Sequence, residues 1–238
     1  SFGNFLTEQK SPKFLAGFSD HTTRLPSAFP SNLRSISGNH QAITDAGRTL
    51  QNNWVAQSTN AGLNHSAHIT AGYAFRLGNA TLSNLTALTY SNSKSADQVN
   101  RADFNAFDME ARRQSVIFRF NDQQYSWKVR TGVIHNWSAQ FGKNHVIEFK
   151  NQFNQLGNTQ YIFRNGPHYD FGYYANNHSF HTVYRGIYSG QIDGRHSFSK
   201  DKTTIEWLAG YGYAYRDEPD YRRYRSDLDT ITGEQTLY

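Results

Sequence analysis

Ten histidines, nineteen carboxylates and no cysteine are the side chains from which a reactive site in this 238-residue chain would have to be built. His65 and His68 lie three apart, as do His178 and His181. Both pairs fall in segments that alternate with a period of two. On a strand, residues three apart point to opposite faces, so neither pair can chelate a metal from one surface. Asp217, Glu218 and Asp220 stand beside Arg216, Arg222, Arg223 and Arg225. Acid–base catalysis needs two carboxylates at a fixed separation in a cleft, whereas mixed charge at a strand end reads as a solvated rim. No phosphate-binding glycine loop, nucleophile elbow or local Ser/His/Asp signature is present. No catalytic residue, metal or cofactor is therefore expected. The absence of cysteine rules out a disulfide framework and Cys-ligated metal. The net charge of +5 is scattered apart from the Arg216–Arg225 run. No nucleic-acid motif accompanies that run, so no nucleic-acid partner is expected. Asn79-Ala80-Thr81, Asn84-Leu85-Thr86 and Asn136-Trp137-Ser138 match the glycosylation acceptor pattern by accident.

More can be read from two polar faces. Glu148, Lys150, Gln152 and Asn154 alternate along one segment, and Arg185, Gln191, Asp193 and Arg195 along another. These eight are the candidate site residues, lining a wet interior and meeting a ligand or whatever fills it. The same residues would also serve as the solvent face of an ordinary antiparallel sheet.

The elements that must carry them are strands. The chain is 15% aromatic with one Met, and aromatic side chains suit a pleated surface better than a helix. Little helix is expected anywhere. From Ser66 to Leu77, Ala67, Ile69, Ala71, Tyr73, Phe75 and Leu77 oppose Ser66, His68, Thr70, Gly72, Ala74 and Arg76. From Ser126 to Phe141, Trp127, Val129, Thr131, Val133, Trp137, Ala139 and Phe141 oppose Lys128, Arg130, Gly132 and Asn136, with Ile134 and His135 breaking the pattern. The period recurs over His145–Asn154, over Phe180–Phe198, and over Thr203–Arg216 with Ile205, Trp207, Ala209, Tyr211, Tyr213 and Tyr215 on one side. Thr81–Asn92 is a strand with ambiguous alternation, and Gln114–Phe120 alternates, with Val116, Phe118 and Phe120 on one face and Asn121-Asp122 able to turn it into the next strand as an extension above the membrane. Phe5-Leu6, Phe14-Leu15 and Phe18 suggest a strand or its end, and Leu25–Pro30 is a loop by its prolines.

Gly78-Asn79-Ala80, Gly142-Lys143-Asn144 and Lys200-Asp201-Lys202 read as tight turns. The polar stretches at roughly 93 to 113 and 156 to 177 read as long loops. Short turns at one end and long loops at the other is the pattern of an outer-membrane barrel. No run approaches 18 apolar residues, so no transmembrane helix is expected, and a negative mean hydropathy suits a barrel with a wet lumen. Trp127 and Trp137 would sit at the two interfaces, since ten strand residues tilted by roughly 45° rise about 23 Å against an apolar band of about 25 Å. A soluble β-sandwich is the competing architecture, and strands of ten to twenty residues exceed its usual length of about five or six.

Gly132 to Gly157 (GVIHNWSAQFGKNHVIEFKNQFNQLG), Gly190 to His196, Trp207 to Tyr215 and Arg216 to Arg223 together resemble the barrel of Bacteroidetes-type TonB-dependent outer-membrane receptors. Leu25 to Pro30 and Asn53-Trp54 are similar to the early barrel of that family. The resemblance implies a barrel of about 22 strands, a plug domain occluding its lumen and a TonB box. The chain departs from it in lacking plug and TonB box, and only about six or seven strands are counted. The expectation is an all-β chain, residues 1–238 forming one part of an antiparallel transmembrane β-barrel, the N-terminal third that follows a plug. The implied function is TonB-dependent uptake of a scarce nutrient across the outer membrane. The alternative is a barrel without energy coupling, acting as an adhesin, binding or assembly component. The implied partners are the plug, TonB, outer-membrane lipid and a surface lipoprotein.

Overall fold

The computed structural model describes residues 4–19, 24–50, 53–198 and 203–237. Strands β1 (Asn4–Thr7) and β2 (Gln57–Asn60) pair antiparallel. The remaining strands are β3 (His65–Leu77), β4 (Ala80–Phe104), β5 (Val116–Phe141), β6 (His145–His168), β7 (Tyr173–Phe198), β8 (Thr203–Asp229) and β9 (Gln235–Leu237). They form one antiparallel sheet in which every strand pairs with its sequence neighbours. The sheet is not closed: β3 is one edge, and most of β8 forms the other because β9 covers only Ser226–Leu228.

The tight turns are as short as expected. Leu77 pairs with Ala80, so Gly78-Asn79 alone reverses the chain, with Gly78 at φ 60°, a left-handed conformation that glycine adopts without steric cost. Gly142–Asn144 is the second turn, and the expected turn at Lys200–Lys202 lies outside the described residues. The expected long loops are a correction. Residues 93–104 and 156–168 continue β4 and β6, and Tyr173–Asn177 begins β7. The β4 extension is polar on nearly all of both faces, and in the β6 extension Tyr161, Ile162 and Phe163 put apolar residues on both faces at once, so alternation could not reveal either. Their strand state is imposed by ladder bonding to the neighbouring strands.

Cross-strand register aligns the faces across the whole sheet. Tyr73, Asn84, Trp137, Phe149, Ile192 and Ala209 form one row, and each is the direct partner of the next. Near the tight turns this face is mainly apolar and open to solvent, with Ile69 65% and Tyr211 65% exposed, and Asn84, Thr86, His135 and Asn151 are polar residues within it. Cross-strand glycines make room for its rings. A Cβ at Gly194 would lie 2.4 Å from the Trp207 ring, and one at Gly186 would lie 2.1 Å from that of Tyr215.

Farther from the turns the same face is covered by the N-terminal segment. Phe14 is buried against Trp127, Val129 and Tyr184. Gln155 donates to the Gly17 carbonyl at 2.7 Å, and Thr131 to that of Ala16 at 3.0 Å. Trp127, expected with Trp137 to mark the two ends of an apolar band, is half-buried on this face. It packs under Phe14, with the Lys94 ammonium 4.6 Å from its centroid. Phe5 lies in a strand as expected, but Phe14 falls in a 3-10 turn over Pro12–Ala16. A nine-residue helix α1 (His40–Arg48) also escaped the sequence reading. Asn39 caps it by accepting from the Ala42 N–H, and it buries only Ala46. No helix is long and apolar enough to cross a membrane among the described residues.

Candidate functional site

The eight polar residues singled out in the sequence all project from one face, opposite the apolar one. Register pairs Glu148 with Asp193, Lys150 with Gln191, and Val146 with Arg195. Two carboxylates directly opposite each other repel, and Lys150, one row farther on, holds both. Its Nζ lies 2.6 Å from Glu148 and 3.1 Å from Asp193, and Gln191 donates to Asp193 at 2.8 Å. Glu148, Gln191, Asp193 and Arg195 line an open cleft of about 530 Å³ with Glu206 and Leu208. Gln152 pairs with Ser189 beyond it. Asn154 and Arg185 lie outside this group, two and three rows farther from the turns than Lys150, beside a second cleft. The set thus divides into a closed ion-pair cluster and a separate pair.

The two histidine pairs split across the sheet as the strand geometry requires. His178 stacks on Tyr224 at 4.3 Å, while His181 on the other face contacts Glu218 at 3.0 Å. Burial holds the His178 imidazole below its ordinary value, which favours the neutral ring. Among the described residues no group of three potential metal ligands converges.

The Arg216–Arg225 run is not a uniform solvated rim. Pro219 has no N–H for the ladder, and Glu218-Pro219 bulge opposite the single Val183. The extra residue inverts the alternation of β8. Asp220 and Arg222 consequently share the face that carries Tyr213 and Tyr215, under the N-terminal segment. Arg222 binds Asp220 at 2.7 Å, Glu8 at 2.8 Å and the Asn53 carbonyl at 2.8 Å. Lys10 contacts Glu8 at 2.9 Å and Thr182 at 2.8 Å. Glu8 and Asp220 are buried, and their charges balance those of Lys10 and Arg222. This arrangement fastens the segment to the sheet; it does not provide a pair of free carboxylates for chemistry.

A second ionic group was not anticipated. Asp122, fully buried, accepts from Arg101 at 2.8 Å and from Arg164 at 2.7 and 2.9 Å. Burial pushes its carboxyl upward, but the two guanidiniums outweigh that and hold it below the ordinary carboxylate range. Arg101 and Asp122 are 21 residues apart in sequence, and Asp122 and Arg164 are 42 apart, so the sequence offered no local signal.

A scan against protein-family models and a search of curated proteins each found no match.

Proposed function

We propose that this chain forms part of a β-barrel in a bacterial outer membrane, in a transporter of the TonB-dependent kind that carries a scarce nutrient through its lumen. The carrying observation is the exposed apolar belt. Six rows run from that of Leu77 and Phe141 to that of Tyr90 and Tyr215; on the edge strands β3 and β8 every residue of one face in these rows is apolar or aromatic, and Leu82, Leu88, Val133, Trp137, Phe149 and Phe153 continue that face across the inner strands, with Asn84, Thr86, His135 and Asn151 interrupting it. Ten strand residues separate the outer rows, about 33 Å along the strand and about 25 Å at a tilt near 40°, which matches the apolar band of an outer-membrane barrel. Trp137 and Trp207 lie toward the turn end of the belt, with Tyr90, Tyr188, Tyr213 and Tyr215 toward the other end. This is the placement of two aromatic girdles. Cover by the N-terminal segment begins in the last two rows of the belt, where Phe18 stacks on Phe153 and the Ala16 and Gly17 carbonyls accept from Thr131 and Gln155.

On this reading the polar face looks into the lumen, and the strands continue 12 or more residues above the membrane. The unpaired edges of β3 and β8 run through the belt, and hydrocarbon does not tolerate unpaired backbone groups. Further strands of the barrel would pair with them. Energy coupling and nutrient import rest on the resemblance carried by Gly132–Gly157 and Gly190–Arg223.

Two measurements test the proposal with the intact protein. Folding should require detergent or lipid, and a stable fold in plain buffer would refute the membrane assignment. Ligand uptake by cells should stop when TonB is deleted. Uptake unchanged by that deletion would refute the energised transporter while leaving the barrel standing.

A further inference from the structure

We infer that the polar face carries an anion-binding site between Arg130 and Arg185, suited to an oxygen-rich small molecule with a carboxylate or phosphate group. One register row runs Ser66, Ser91, Arg130, Leu156, Arg185 and Arg216 across six strands. It places three guanidiniums in a line. Arg216 is neutralised by Glu218. Arg130 and Arg185 are exposed, and among the described residues neither has a carboxylate within ion-pair distance, whereas Arg101, Arg164, Arg222 and Arg225 each have one.

The two free guanidiniums are not spread over a flat surface. They border a cleft of about 650 Å³, together with His68, Thr89 and Asn154, a size typical of small-molecule sites. The next row explains the hollow. Gly132 sits between Thr89 and Asn154, and a Cβ there would lie 2.4 Å from Thr89 Oγ1 and 2.9 Å from Asn154 Oδ1. The glycine thus leaves room at the cleft floor for the Thr89 hydroxyl, which can donate to a ligand oxygen, and for the Asn154 Oδ1, which can accept from a ligand hydroxyl. Arg130 and Arg185 stand two strands apart, about 9.5 Å between their backbones. Their side chains can therefore close on one oxyanion from opposite sides, each with a planar fork of donors that matches carboxylate or phosphate. Leu156 between them supplies an apolar wall and excludes a competing acid.

The inference depends on the proposed function only for its statement that the cleft faces a lumen. Binding itself needs the sheet alone. The intact protein, in whichever medium it folds, is titrated calorimetrically at low ionic strength with inorganic phosphate and, separately, with citrate. Saturable binding of at least one probe is expected, and which probe binds distinguishes a phosphoryl from a carboxylate ligand. The double variant Arg130→Gln, Arg185→Gln should weaken binding tenfold or more. Arg195→Gln, on the same face outside the cleft, should leave it within about twofold. An unchanged unfolding midpoint shows that the double variant still folds, and replacing both residues by Lys should restore part of the affinity. Failure of both probes to bind, or an equal loss in Arg195→Gln, would overturn the site. Folding without detergent would defeat the membrane reading and leave this titration fully interpretable.

Discussion

Placing an arginine on the apolar belt separates a lipid-facing surface from a solvent-facing one, because the belt residues are exposed on the chain itself. Ala71 and Ala209 lie in the two middle rows of the belt, and both are exposed. If water covered them, Ala71→Arg and Ala209→Arg would create no buried charge and lose little packing. Such surface substitutions usually fall within about 0.5 kcal/mol. If hydrocarbon covers them, each should cost about 2 to 4 kcal/mol near the bilayer midplane. Thr70→Arg and Gly210→Arg shift the charge by one residue, which moves it to the opposite face. Space permits both: Thr70 is exposed, and a Cβ at Gly210 meets only the Gly190 carbonyl, at an ordinary 3.5 Å. Gly132 is unsuitable as a control despite lying on the polar face, because Thr89 and Asn154 crowd it. The assay is equilibrium unfolding of the intact protein in phospholipid vesicles, each variant measured against the parent. The expected result is a gap of at least about 1.5 kcal/mol between the two pairs. Belt and control variants agreeing within about 0.5 kcal/mol would refute the assignment of this face to lipid.

Arg222→Met leaves Glu8 and Asp220 buried without their shared cation and should destabilise docking of the N-terminal segment by about 3 kcal/mol. Limited proteolysis should then cut within residues 4–18 before the sheet is attacked, and unchanged protection would contradict the fastening role. Gly17 adopts φ 83°, and a Cβ would sit 3.3 Å from both Gln155 and the Gly157 backbone. Gly17→Ala should therefore cost about 1 to 3 kcal/mol, and hydrogen exchange should show the loss concentrated in β1 and the Pro12–Ala16 turn. The Asp122 carboxyl is held below its unfolded value, so its ionised form stabilises the fold. That contribution is complete above the ordinary carboxylate range and is lost as pH falls through the lowered folded value. Asp122→Asn should consequently be less stable than the parent at neutral pH, with the deficit shrinking in strong acid. An equal deficit at both pH values would show that shape, not charge, is what matters there.

The amino-acid sequence determined the pleat. Wherever one face is apolar and the other polar, the period of two assigns each side chain without knowledge of its neighbours. Ala71, Tyr73, Val133, Phe149 and Ala209 accordingly share a face, and the eight polar candidates share the opposite one. Tight turns were equally legible at Gly78-Asn79 and Gly142–Asn144, because their residues supply the conformations that reversal needs. The sequence could not show where strands continue without a clean alternation, since β4 beyond Asn92 is polar on nearly all of both faces and β6 beyond Gly157 sets Tyr161 and Phe163 on one face and Ile162 on the other. It also concealed the inversion at Glu218-Pro219. A bulge shifts parity by one, and only the register shift between Thr182 and Tyr184 reveals that Arg222 lies across the sheet from Arg216. Above all, alternation within a strand says which face a residue occupies but nothing about its neighbours on other strands. The register of three adjacent pairings, β4 with β5, β5 with β6 and β6 with β7, brought Arg130 level with Arg185, set Gly132 between Thr89 and Asn154, and placed Lys150 between Glu148 and Asp193. Those distances depend on hydrogen bonds between segments dozens of residues apart, and so they belong to the tertiary structure.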